Sequence, residues 1–381
     1  MDRLPPEIKE PIVHLAIAAS SSAKMARAYA AGVKLDLGLA SQWRVDDEFP
    51  DPFSEESPYT FVSIPEDVSP LLPEVFSITR FNCKYVPWNN LSFTPKTCCK
   101  IASRFPNLKN IDWILEDGYQ IAIGLSMLPN SVRKLSLEYG DMFRVGEEIG
   151  GYSPLCPQGI LDSFSLALRK FSKQLEHLSL ITVIGIEFFH DTHPNQDHEE
   201  EHWLRLRHLY VAPGAQTPQG RWLFDFDSSD PHLDRSDPVT YRIIPIPEQV
   251  NPYCLAFARA AERMPELKCM SILWPTLATS KLEYKVKGDS SSAEFRNESS
   301  PGLDLNDEIQ DAWLTTARVH LREGAEFHFV VVDNGSRFTN RNVTKSRGTA
   351  LLTVPEPYAL IDWTRSRSGS YQQHIRCKQS A

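Results

Sequence analysis

Apolar and polar positions alternate along this chain in a phrase that returns five times. It reads apolar, two polar or small residues, apolar, one polar, apolar. The five copies are Leu108–Trp113, Val132–Leu137, Leu175–Leu180, Leu206–Val211 and Leu267–Ile272. This is the core of the pattern L-x-x-L-x-L, in which a short strand buries alternate side chains against its neighbours. The copies predict five neighbouring strands, with Leu108, Leu135, Leu178, Leu209 and Met270 shielded from water. Most of the pairing is expected to be parallel, because each phrase is reached through a helical return.

Helical spacing fills the intervals. Thr94–Arg104 reads as a helix with Thr94 as cap and Pro95 in its first turn. Tyr119–Met127, Pro157–Phe171 and Asn251–Met264 follow, each leading through a tight turn into the next phrase. The repeat is irregular. Successive phrases start 24, 43, 31 and 61 residues apart, against roughly 20–29 in regular leucine-rich units. The surplus falls in two insertions, Glu187–Trp203 and Gln216–Pro247. Beyond Ile272 the phrase stops. Lys281–Lys287 reads as an edge strand, Ser290–Pro301 as a polar loop, Leu305–Leu321 as an amphipathic helix and Glu326–Val332 as a strand. Toward the N-terminus, Leu4, Ile8, Ile12 and Leu15 share a helical face that Pro11 interrupts or kinks. Residues 22–44 resume a helical pattern. The division that results is a helical segment over 1–45, a linker over 46–69, a body over 70–335 and a partly disordered extension over 336–381.

Composition narrows the function classes. Forty basic residues against 49 acidic ones give a formal net charge of -9, which argues against a nucleic-acid binder. No apolar run approaches the ~20 residues needed to cross a bilayer, and no secretory signal is visible, so no membrane role is expected. Seven cysteines without a CxxC pair read as free thiols in a reducing compartment, the cytoplasm or nucleus.

Local matches resemble fungal F-box-like proteins with a divergent leucine-rich-repeat-like body. They are Leu4-Pro5-Pro6-Glu7-Ile8, Leu72-Pro73-Glu74-Val75, Ile101–Lys109, Thr217–Phe224 and Asn251–Pro265. The resemblance implies an α/β fold, an irregular leucine-rich-repeat-like solenoid with mostly parallel strands behind a short helical F-box-like segment. It implies docking on the Skp-type adaptor of a cullin-RING ubiquitin ligase, with Leu4, Pro5, Ile8, Ile12 and Leu15 as the adaptor surface. The body would present an unidentified protein substrate, without catalysis or cofactor of its own.

Two stretches carry other chemistry. His198-Glu199-Glu200-Glu201-His202 matches the letters of H-E-x-x-H, a zinc hydrolase pattern. It sits in an acidic insertion, no third ligand is recognisable, and the reading preferred is a solvated loop without metal. A repeat scaffold with no ligase link is the remaining alternative. Trp203, Trp222 and Phe224 are candidate partner contacts, since aromatic side chains dominate binding hot spots. The competing reading of Trp222–Phe224 is an anchor that ties the second insertion to the core.

Overall fold

The computed structural model describes residues 33–36, 60–62, 64, 72–84, 91–115, 119–139, 161–190, 203–226, 242–274, 280–299 and 303–333. All lie within the unit Met1–Lys345. The strands are β1 Val33–Asp36, β2 Thr60–Val62, β3 Ile78–Lys84, β4 Leu91–Phe93, β5 Asn110–Leu115, β6 Lys134–Tyr139 and β7 His177–Thr182. They continue with β8 His208–Pro213, β9 Phe224–Phe226, β10 Arg242–Pro245, β11 Cys269–Trp274, β12 Ser280–Val286, β13 Ser292–Ser299 and β14 Glu326–Asp333. The helices are α1 Pro95–Ala102, α2 Tyr119–Leu125, α3 Ser163–Ser172, α4 Pro247–Glu262 and α5 Asp307–His320. Ten strands form one open sheet in the order β1-β3-β5-β6-β7-β8-β11-β12-β13-β14. Pairing is parallel except on the two sides of β12. The class is therefore α/β, with a mostly parallel mixed sheet.

The five phrases become β5, β6, β7, β8 and β11, adjacent and parallel in that order. Each strand begins two residues into its phrase. The first apolar residue lies before the strand, in a turn whose amide bonds three residues back: Leu108 to Phe105, Val132 to Pro129, Leu175 to Ser172, Leu206 to Trp203 and Leu267 to Met264. The next residue's carbonyl then accepts two amides from the following strand's entry. Lys109 O takes Arg133 N and Lys134 N, Arg133 O takes Glu176 N and His177 N, Glu176 O takes Arg207 N and His208 N, and Arg207 O takes Lys268 N and Cys269 N. One local geometry thus recurs at every step and fixes the register. Leu108, Leu135, Leu178, Leu209 and Met270 are buried, and β5 and β7 alternate buried with half-exposed residues along their length.

The helices carry the sequence signals that start them. Thr94 Oγ1 accepts from Thr97 N at 3.2 Å ahead of Pro95. Asp162 accepts from the Phe164 and Ser165 amides at the head of α3, which starts later than the spacing predicts. Such caps satisfy amides that the helix itself leaves unpaired. Helix α4 starts earlier than expected, at Pro247, and carries Pro252 inside. A proline there costs about 3 kcal/mol in isolation, and burial of Tyr253, Cys254, Phe257 and Met264 outweighs it. Gly124 of α2 lets α1 come close: a Cβ there would stand 2.5 Å from Cys99 Sγ.

Four expectations differ from the structure. Strand β12 is interior, held by β11 and β13. Its alternation of Lys281, Glu283 and Lys285 arises because one face of the sheet is open, and Glu283 bridges both lysines at 2.9 and 2.6 Å. The polar stretch 290–301 contains β13. Its inward side includes Asn297, which donates to Leu303 O at 2.8 Å, and Ser299, which accepts from Leu303 N at 2.6 Å. Those buried polar residues hid the strand. Within the helical pattern of 22–44, Val33–Asp36 is a strand parallel to β3. Within the stretch read as linker, β2 pairs with β4, and Ile64 is buried with its amide on Thr97 Oγ1 and its carbonyl on Lys100 Nζ. Among the described residues no helix is long and apolar enough to cross a membrane.

Candidate binding face

One face of the sheet packs against the helices through residues such as Ile111, Trp113, Leu137, Leu180 and Val211. The intervening side chains point the other way and stay at least partly exposed along β5, β6 and β7. The register aligns them in rows that run across the strands. One row is Arg80, Asn110, Lys134, His177, His208, Cys269, Lys285 and Glu294, by successive pairings. The next contains Asp112, Ser136, Ser179, Tyr210, Ser271, Glu283 and Arg296. A flat polar surface built from rigid strands is a suitable place for protein recognition, because its side chains are already ordered.

The charge on this face is unevenly neutralised. In the antiparallel part, Glu283 holds Lys281 and Lys285 and Glu294 holds Arg296 at 3.0 Å, while on β14, parallel to β13, Glu326 faces His328 at 3.4 Å. In the parallel part, His177 and His208 stack with ring centroids 4.5 Å apart. Burial, then Lys134 and His208, bring His177 down to about 4, with Glu176 opposing. Burial, then Lys134, Arg207 and Lys268, also lower His208. Both rings are neutral near pH 7.

A second polar locus lies just past the C-terminal end of β7, where both insertions are rooted. Glu187 is buried, and its Oε2 has no partner among the described residues. Burial raises its pKa, the neighbouring Asp162 adds to this, and hydrogen bonds, one of them from Gln219, act against it. Ser165 Oγ donates to Asp162 and accepts from Gly185 N at 2.8 Å. The cluster joins the end of β7 to α3 and to the start of the second insertion. Nothing in the periodicity of the sequence marks it.

The aromatic candidates resolve differently from one another. Trp203 is fully buried and donates from Nε1 to Ser172 Oγ at 2.7 Å. Phe224 is fully buried against Trp274. Both are core side chains, which corrects their assignment as partner contacts. Trp222 is half-exposed, with the Arg242 guanidinium 4.0 Å over its ring. The turn before it uses Gly220 at φ 77°, a conformation glycine adopts without a Cβ penalty. Within Thr217–Phe224, Leu223 and Phe224 are thus buried in the core.

Cys98 and Cys99 are both buried. Cys98 Sγ lies 3.6 Å from Cys83 Sγ. The hydrogen bond to Cys83, then burial, pushes Cys98 well up, and burial alone pushes Cys99 to about 12. These thiols are poor nucleophiles. The adaptor candidates Leu4, Pro5, Ile8, Ile12 and Leu15, and the candidate ligands His198 and His202 with Glu199, lie outside the described residues. The chain matches no family model, no curated protein and no solved structure.

Proposed function

We propose that the chain is a protein-recognition module, built as an irregular leucine-rich-repeat-like solenoid, whose sheet face opposite the described helices receives the partner. One observation carries this reading: the same turn and the same doubly accepting carbonyl recur from β5 through β11. A repeated unit of this kind extends a surface without building a catalytic cleft. In the fuller form of the proposal, the module is the substrate-recognition subunit of a cullin-RING ligase in the cytoplasm or nucleus. It docks on a Skp-type adaptor through Leu4, Pro5, Ile8, Ile12 and Leu15. That half rests on the resemblance of the N-terminal sequence.

Co-purification of the full chain with a Skp-type adaptor tests it. The parent retains the adaptor, and Ile8→Asp with Ile12→Asp loses it while the thermal transition of the body stays in place. A parent chain that never retains the adaptor removes the ligase link and leaves a recognition scaffold.

A further inference from the structure

Each parallel strand brings an equivalent residue to the same rim of the sheet. Immediately before β5, β6, β8 and β11 stand Lys109, Arg133, Arg207 and Lys268, and Lys134 opens β6. Glu176, before β7, is the single acid in the series. The chain as a whole is acidic, at -9, so this concentration does not follow from overall composition.

Among the described residues the rim is also not neutralised internally. Cations of the antiparallel part are held by carboxylates on neighbouring positions. On the parallel rim Arg207 pairs with Glu266 at 3.5 Å, with both side chains half-exposed, and such a pair is weak. Among the described residues, no carboxylate pairs with Lys109, Lys134 or Lys268. Between the lysines sits the flat, stacked pair His177 and His208.

We propose that this rim binds an acidic peptide segment of the partner protein, laid across the strands over Lys134, His177, His208 and Lys268. This rests on the protein-recognition reading above and names the chemistry of its ligand. Strands about 4.8 Å apart put β6 and β11 roughly 14 Å from each other, and an extended peptide rises about 3.4 Å per residue. The segment that spans the four residues is then about four residues long. Carboxylates placed there offset the mutual repulsion of Lys134, Arg207 and Lys268. They also relieve the pressure that those cations put on the two imidazoles. Among the described residues Glu176, beside His177, and Glu266, paired with Arg207, oppose the ligand. Binding therefore takes up protons and tightens as pH falls toward the histidine range.

The test is fluorescence anisotropy of a labelled hexaglutamate peptide with the full chain. Saturable binding is expected, weaker by tenfold or more in the Lys134→Ala, Lys268→Ala double variant. It is retained in the Lys134→Arg, Lys268→Arg variant, which keeps the charge. Arg259→Ala, on helix α4 and paired there with Glu308, removes a cation elsewhere and leaves binding unchanged. Affinity rises from about pH 7.5 to about pH 5.5, where the probe's glutamates remain largely ionised. Absence of saturable binding overturns the inference. So does an equal loss in Arg259→Ala, or an oligothymidylate of matched charge binding as tightly. A silent peptide combined with a partner cross-linked on the sheet face removes the acidic-segment inference alone and leaves protein recognition standing.

Discussion

The imidazoles of His177 and His208 lie face to face across the β7–β8 pair, their planes within 3° of parallel. Burial first, and then cationic neighbours such as Lys134, make each ring resist a proton. In the folded chain His177 is lowered to about 4 from an ordinary 6.5, and His208 moves in the same direction. The unfolded chain binds protons first as pH falls. Folded stability from this pair is therefore complete above the ordinary histidine pKa and declines as pH drops from about 6.5 toward 4. NMR titration should find the His177 ring neutral well below pH 6, and Lys134→Ala should move its midpoint upward. A midpoint at the ordinary value in the parent contradicts the arrangement.

His320 ties the last helix to the sheet. Its Nε2 faces Met264 O at 2.9 Å and its Nδ1 faces Tyr284 Oη at 2.9 Å. A carbonyl only accepts, so Nε2 carries the proton and Tyr284 donates to Nδ1. Tyr284→Phe leaves a buried acceptor unsatisfied, at a cost of about 1–3 kcal/mol. Urea denaturation at pH 7.5 should show a lower midpoint with an unchanged slope. An unaltered midpoint would mean that the bond contributes nothing.

Trp203 belongs to the core, held by Ser172 and covered by the Arg169 guanidinium 5.9 Å from its ring. Trp203→Ala should destabilise the chain by about 3–5 kcal/mol, the range for large aromatic truncations in cores. If a well-folded variant instead loses only partner binding, Trp203 is a contact residue after all.

Glu187 works against the histidines. Its raised pKa means that the folded state favours the neutral carboxyl, so its contribution is present at low pH and lost as pH rises through the folded value. Glu187→Gln should raise the melting temperature at pH 7.5, and the difference from the parent should shrink in acid. A lower melting temperature at neutral pH would show that the charge is stabilised by its surroundings.

The strands were legible because a short apolar phrase with fixed spacing has few ways to bury itself. The two-residue offset arose because the first apolar residue of each phrase, such as Leu175, serves the turn rather than the ladder. Helix ends were legible where a cap announces them, as at Thr94. They were missed where packing overrides a local signal, as at Pro252. Strand β13 was hidden because Asn297 and Ser299 are buried by partners distant in pattern, not by being apolar. The basic rim was readable only after the register was known. Lys134, Arg207 and Lys268 are scattered in sequence and meet because three hydrogen-bonded steps align them. Trp203 and Phe224 show the converse: residue type suggested a surface, and burial placed them inside.

Photo-cross-linking compares the two faces of the sheet most directly. A benzoylphenylalanine at Ser179 reports the face opposite the described helices, and one at Leu314, an exposed position on α5, reports the helix side. A co-purified protein partner should cross-link from Ser179 and not from Leu314, and Lys134→Ala with Lys268→Ala should diminish the Ser179 product. A product formed from Leu314 but not from Ser179 would contradict recognition by the sheet face.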